Sequence, residues 1–171
     1  MKYFEHESAA TFDEAVSLLK ESPKGKTVVM AGGSDLIGVL KEQILEDYPE
    51  KVVDLKTVRG GEYIKQDGDT IEIGALTKLC DIVKSDLLNE KAPVLSQAAR
   101  SVATPLIRNV ATMGGNICQD VRCWFYRYPH GIGGRMDCMR KGGKECYAVM
   151  GDNRYHSIFG GMKVHTTPCS V

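Results

Sequence analysis

Between Thr11 and Ser22 the apolar residues Ala15, Val16, Leu18 and Leu19 fall at helical spacing, and Thr11 with Glu14 three positions on forms a capping-box pattern. The spacing predicts an amphipathic helix ending near Ser22-Pro23. The period then changes. Lys26-Thr-Val-Val-Met-Ala31 has the β-branched character of a buried strand, broken by Gly32-Gly33-Ser34-Asp35. Leu36 to Ile44 alternates as a short helix with Lys41 and Glu42 outward. Lys51-Val-Val-Asp-Leu55 predicts a second strand, and Ile64 with Ile71-Glu-Ile73 predicts a hairpin around Gln66-Asp-Gly-Asp69. Thr77 is placed to cap a helix through Leu79, Ile82 and Val83. Pro93 to Val102 predicts another helix, with Val94, Leu95, Ala98 and Ala99 on one face. Pro105 to Asn116 reads as a loop ending in a glycine pair. No internal repeat is present. The predicted strands and helices are read as a small α+β domain.

The 171 residues suffice for one good-sized domain or two small subdomains. Lys plus Arg and Asp plus Glu both total 22, and a formal charge of zero argues against a general polyanion binder such as a nucleic-acid protein. No run approaches the roughly 20 apolar residues of a membrane span. The first residues carry no apolar signal core, so the expected location is cytoplasmic. In that reducing compartment the six cysteines are not expected to form a disulfide framework.

Two loops carry candidate chemistry. Ala31-Gly32-Gly33-Ser34-Asp35-Leu36 sits between strand and helix, where backbone N–H groups and the Ser34 hydroxyl can face an anion. From this loop alone the favoured reading is a plain strand-to-helix turn with Ser34 or Asp35 as helix cap. It is neither a Walker loop nor a dinucleotide fingerprint. Some eighty residues on, Asn109-Val-Ala-Thr112-Met-Gly114-Gly115-Asn116 repeats the character. Together the two loops are suited to clamp one diphosphate.

Cys80 stands alone, whereas Cys118, Cys123, Cys138, Cys146 and Cys169 lie in the last third. The spacings of fifteen and eight residues between Cys123, Cys138 and Cys146 match neither a zinc ribbon nor a bacterial ferredoxin run. Free structural cysteines and a metal site both remain open on spacing alone. Trp124, Phe125, Tyr126 and Tyr128 beside Cys123 are expected to shield such a site or fill an irregular core, with stacking on a ligand ring the sharper alternative. His6, His130, His156 and His165 show no metal-ligand spacing and read as surface or loop residues.

The string Ala31-Gly-Gly-Ser-Asp-Leu36, followed by Ile107-Arg-Asn109 and Ala111-Thr-Met-Gly-Gly-Asn116, resembles the FAD-binding subunit of the molybdenum hydroxylases. These include xanthine dehydrogenases, carbon monoxide dehydrogenases and 4-hydroxybenzoyl-CoA reductase. The resemblance covers roughly residues 3 to 165. It implies a two-subdomain FAD-binding fold of the PCMH type, with a small βαβ-like N-terminal subdomain over 1–57 and a mixed or antiparallel sheet subdomain over 58–117. It implies that Val29, Met30, Ala31, Gly32, Gly33, Ser34, Asp35 and Leu36 form one FAD wall. Ala103, Thr112, Gly114, Gly115 and Asn116 contribute to the other.

The reductase branch carries an inserted loop that binds a [4Fe–4S] cluster, and 118–165 resembles that insertion. By this carry-over Cys123, Cys138 and Cys146 are ligands, with Arg122, Arg140 and Lys141 offsetting the cluster's charge. Cys169 is the favoured fourth ligand and Cys118 the next, because the position nine residues after Cys146 is Tyr155. Residues 166–171 resemble a junction to a further domain, so the fold is expected to be truncated at its C-terminus. The resemblance implies an oxidoreductase component that relays electrons between an iron–sulfur chain and NAD(P) or ferredoxin. Its implied partners are a molybdenum cofactor-binding large subunit and a [2Fe–2S] small subunit, or a fused pyridine-nucleotide oxidoreductase. The rival readings are a zinc-binding docking module and a stand-alone NAD(P)H-dependent flavin reductase.

Overall fold

The computed structural model describes residues 1–45, 47–129, 136–154, 156–160 and 168–170. Their elements run β1 (Glu5–Ser8), α1 (Phe12–Glu21), β2 (Thr27–Met30), α2 (Leu36–Lys41), β3 (Lys51–Asp54), β4 (Ile64–Asp67), β5 (Thr70–Ile73), α3 (Leu79–Lys84), α4 (Asp86–Lys91), α5 (Pro93–Ser101), α6 (Pro105–Arg108), α7 (Met113–Ile117), a 3-10 turn (Met139–Lys141), α8 (Tyr147–Met150), β6 (His156–Gly160) and β7 (Pro168–Ser170). This is the α+β class expected. The chain divides into two compact units, one of Tyr3–Leu36 and Pro49–Gln119, the other of Met1–Lys2, Ile37–Tyr48 and Asp120–Val171.

The first unit is built on a parallel sheet ordered β1-β3-β2. Val52 and Val53 of β3 are fully buried, as a central parallel strand requires. The β1 strand, Glu-His-Glu-Ser, has no apolar alternation. It forms because β3 gives it a partner, with Glu5 opposite Lys51 and Glu7 opposite Val53, and Lys51 Nζ reaching Glu7 Oε2 at 2.8 Å. Helix α1 begins as its capping pattern predicts: Thr11 Oγ1 accepts from Glu14 N (3.1 Å), and Glu14 Oε2 accepts from Ala10 N (2.7 Å). Ala15 and Leu18 join Ala9, Val53, Val58 and Leu76 in the sheet's core, while Val16 and Leu19 stay exposed.

A second core in this unit gathers Leu79, Ile82, Leu88, Ala99 and Ala111 under the β4–β5 hairpin. Each buried Leu or Ile here contributes roughly 1.5–3 kcal/mol. Three expectations are corrected in this region. Thr77 does not cap α3; its buried hydroxyl donates to Tyr63 O (2.9 Å) and accepts from Tyr63 N (3.0 Å), and Lys78 stands at the cap position. Val94 and Ala98 are not on the inner face of α5 with Leu95 and Ala99 but exposed, Val94 by 76%. Ser96 is buried instead, its hydroxyl donating to Ile82 O (3.3 Å), which lets α3 and α5 approach closely. The segment 105–116 is not a plain loop. Thr104 and Thr112 each cap a short helix, α6 and α7, and Gly114 and Gly115 lie inside the second.

The other unit has a small core of Val39 and Ile44 from the α2 region with Cys123, Tyr126, Cys138 and Ala148. Here α8 and the antiparallel β6–β7 pair are short, and side-chain interactions fix much of the backbone. Arg127 Nε donates to Val121 O (2.7 Å) and its Nη2 to Asp120 O (3.0 Å), closing the chain around Cys123.

Candidate functional site

The two glycine loops of the sequence meet in space. Gly32 packs so closely on the second loop that a Cβ there would lie 1.9 Å from Val110 O and 3.1 Å from Ala111 Cα. Only hydrogen fits. Gly33 takes φ +71°, a left-handed conformation that turns the chain from β2 toward α2. Among the described residues, the N–H groups of Gly32, Gly33 and Ser34 donate no hydrogen bond. Successive unengaged amides with one residue left-handed are the pattern of an anion nest.

The second loop is held by the segment before α3. Met113 N donates to Thr77 O (2.8 Å), Gly114 N to Ala75 O (2.8 Å) and Leu79 N to Ala111 O (2.9 Å). Gly114 is required by this approach, since a Cβ would meet Ala75 O at 2.9 Å. Thr112 is buried and its hydroxyl accepts from Gly115 N (3.1 Å). Thr112→Val keeps the shape and removes this cap. The expected cost is about 1 kcal/mol, read as a lower midpoint in denaturant together with weaker flavin retention.

The remaining positions of the first set fall as follows. Val29 is 41% exposed at the end of β2, with Met30 and Ala31 half-buried behind it. Ser34 is exposed, and Asp35 and Leu36 are half-buried. Asn116 is half-buried in α7. Ala103 has φ +43°, a strained value for a residue with a side chain, and Arg108 Nη1 braces it by donating to Val102 O (2.7 Å) and Ala103 O (3.3 Å).

The cysteines separate. Cys80 is half-buried and its thiol is raised, chiefly by burial and then by Asp81. Cys118 is exposed at the end of α7, in the first unit. Cys123, Cys138 and Cys146 line one small cavity in the other unit, with Phe125, Tyr126 and Tyr147 around them. The cavity is built locally. Gly142 at φ +85° and Gly143, where a Cβ would lie 1.9 Å from Asp137 O, fold 137–146 into a tight turn. Cys138 O accepts from Lys141 N (2.8 Å) and Gly143 N (3.0 Å) within that turn. The Cys169 side chain, His130 and His165 lie outside the described residues.

Cationic groups surround the cavity. Arg140 lines it. Lys141 is 3% exposed, its ammonium 5.7 Å from the Tyr126 ring centroid and donating to Tyr128 O (3.4 Å). Tyr126 donates to Asp120 Oδ2 (2.5 Å), and burial together with that carboxylate pushes the phenol far above its ordinary range. It therefore stays protonated. Phe125 and Tyr126 fill the core as expected of the aromatic run, but Trp124 is 60% exposed.

Among the described residues no three His, Cys, Asp or Glu side chains stand close enough to share one metal ion. A tetrahedral zinc with bonds of about 2.3 Å draws its sulfurs to roughly 3.8 Å of one another. A cluster instead gives each thiolate its own iron and spreads the donors.

His156 is not the surface or loop residue expected of it. It opens β6, and both ring nitrogens are shut from solvent with no hydrogen-bond partner among the described residues. An unmatched buried polar group costs roughly 1–3 kcal/mol. No residue spacing signals this; only the tertiary structure reveals it.

The family profile described as FAD binding domain in molybdopterin dehydrogenase matches residues 2–123. The nicotinate dehydrogenase FAD-subunit of Eubacterium barkeri is 34% identical over 117 residues, covering 68% of this chain and 39% of that protein. The structure of carbon monoxide dehydrogenase from Hydrogenophaga pseudoflava superposes with TM-score 0.64 at 31% identity, over 68% of this chain and 39% of that one. The aldehyde oxidoreductase FAD-binding subunit of Escherichia coli (strain K12) is 29% identical over 94% of this chain and 48% of its own, a match that takes in the cysteine segment. The chain thus spans about two fifths of the length of the first of these relatives. With the profile covering most of the chain and the paired glycine loops inside it, the chain belongs to the family of FAD-binding domains of the molybdopterin dehydrogenases.

Proposed function

We propose that this chain is the flavin-bearing electron relay of a molybdenum hydroxylase-like oxidoreductase, with a [4Fe–4S] cluster held by Cys123, Cys138 and Cys146. The observation that carries the flavin half is the junction of the two glycine loops. Gly32 against Val110 brings the unengaged N–H groups of Gly32, Gly33 and Ser34 beside a loop stiffened by Thr112. These amides bind the pyrophosphate of FAD, and the half-exposed Val29 offers apolar surface to the rest of the cofactor. FAD when bound exchanges two electrons with one partner and single electrons with another. The protein's own part is to position the cofactor and exclude competing reactions; none of the residues described at the loops is placed as acid or base.

The cluster half rests on three thiols sharing one cavity, with Arg140 and buried Lys141 to offset negative charge. In this reading electrons pass to NAD(P) or ferredoxin at one end. A molybdenum-bearing large subunit and a [2Fe–2S] small subunit, or a fused pyridine-nucleotide oxidoreductase, complete the path.

The test is a flavin and metal count on the full chain purified in its native complex. The expected result is about one FAD and about four irons per chain. A colourless protein containing zinc sinks the proposal, and so does rapid bleaching by NAD(P)H from the isolated chain with no iron present.

A further inference from the structure

Helix α5 turns into α6 through Val102, Ala103 and Thr104, and the turn depends on the middle residue. Val102 and Thr104 are extended, while Ala103 is left-handed at φ +43°. A residue with a Cβ disfavours that conformation relative to glycine. Arg108 is the last residue of α6, and its Nη1 donates to Val102 O (2.7 Å) and Ala103 O (3.3 Å). Rotation about φ of Ala103 swings one of these carbonyls against the other, so a donor shared by both fixes that angle. Among the described residues these are the only bonds of the Arg108 guanidinium. The turn also bears on the glycine loops. Arg108 N donates to Thr104 O (3.0 Å), Asn109 N to Pro105 O (3.1 Å), and Val110 N and Ala111 N both to Ile107 O (3.1 and 2.8 Å). The backbone is thus bonded without a break from the turn to Val110, whose carbonyl Gly32 packs against.

On the strength of the flavin reading, we propose that Arg108 is a positioning residue for the flavin site. It holds Ala103 left-handed, and that angle sets the entry of α6 and the place of the Val110 carbonyl against Gly32. The unengaged amides of Gly32, Gly33 and Ser34 then keep one fixed arrangement before the cofactor binds. Without the guanidinium, Ala103 relaxes toward the right-handed region. Helix α6 then enters at another angle, and only a fraction of molecules holds the site formed. Apparent affinity falls by that fraction. Arg108 touches no flavin in this role; it acts through the backbone.

Flavin affinity in the native complex, measured by FAD fluorescence on release, tests this with two changes and their combination. Arg108→Met is expected to weaken FAD binding about tenfold, the effect of losing the bonds of one charged donor. Glycine takes positive φ without the cost alanine bears, so in an Ala103→Gly background the same Arg108→Met change should cost less than about threefold. Where Arg108→Met yields no folded complex, Arg108→Lys is compared in both backgrounds, with the same order of effects at smaller size. A packing or surface role for Arg108 would give equal losses with alanine or glycine at position 103. Equal losses overturn the proposal, as does wild-type affinity in Arg108→Met. A wild-type complex that holds no FAD overturns the flavin reading, and the positioning role falls with it.

Discussion

Replacing Gly32 with alanine is expected to strip the chain of its flavin. The added methyl would sit 1.9 Å from Val110 O and 2.6 Å from Val110 C, well inside the distance at which carbon and oxygen repel. Both obstacles are backbone, so no side chain can swing aside. The second loop cannot retreat either, because three hydrogen bonds tie Ala111, Met113 and Gly114 to residues 75–79. The loops must part, at an overpacking cost of about 1–3 kcal/mol or more, and the three unengaged amides lose their shared geometry. A useful contrast is Gly38, where a Cβ meets nothing within 4 Å and the residue lies in α2. Gly38→Ala should be neutral or stabilise by about 0.5–1 kcal/mol. Flavin content and thermal midpoint measured side by side settle the matter. Full flavin in Gly32→Ala at an unchanged midpoint would show that the loops do not form the site.

Cys138→Ser should empty the cysteine cavity of iron. Cys138 is 6% exposed, and the tight turn built by Gly142 and Gly143 holds its backbone on both sides. The serine keeps the shape, but its hydroxyl is a poor ligand for soft iron where a thiolate is the favoured donor. Iron is expected to fall from about four per chain to below about one. Flavin should stay bound, because the amides assigned to it belong to the other compact unit. Loss of flavin with retention of iron would reverse the assignment of the two halves.

How far these features were legible in the sequence depended on whether they are local. The capping box at Thr11 and Glu14, the Val28-Val29 strand and the Gln66–Asp69 turn each encode their structure in a few adjacent residues, and each is found. The polar strand Glu5–Ser8 carries no period of its own and exists through its pairing with β3. Thr77 looked like a cap because a threonine before an apolar run usually is one. Its hydroxyl was claimed by the Tyr63 backbone, fourteen residues away. Two threonine caps hidden in 104–112 were outweighed by the neighbouring glycines. At the candidate site the glycine loops could be read, but not that Gly32 touches Val110. The cysteines could be counted, but spacing could not say that three share a cavity while Cys118 faces solvent. His156 was the least legible, since burial of both ring nitrogens depends on contacts no short window contains.

One feature of the chain's path bears on how the protein is made. The chain leaves the sheet-bearing unit at Leu36, runs through α2, and returns at Pro49. Val39 on the apolar side of α2, and Ile44 just beyond the helix, are covered by Cys123, Tyr126, Cys138 and Ala148. Those residues are synthesised roughly 80–110 positions later. At a translation rate of about 5–20 residues per second, Val39 and Ile44 wait on the order of 5–20 s without their partners. For that interval the nascent chain presents an uncovered apolar helix face to solvent. Chaperone dependence should therefore concentrate at α2 and the residues just after it.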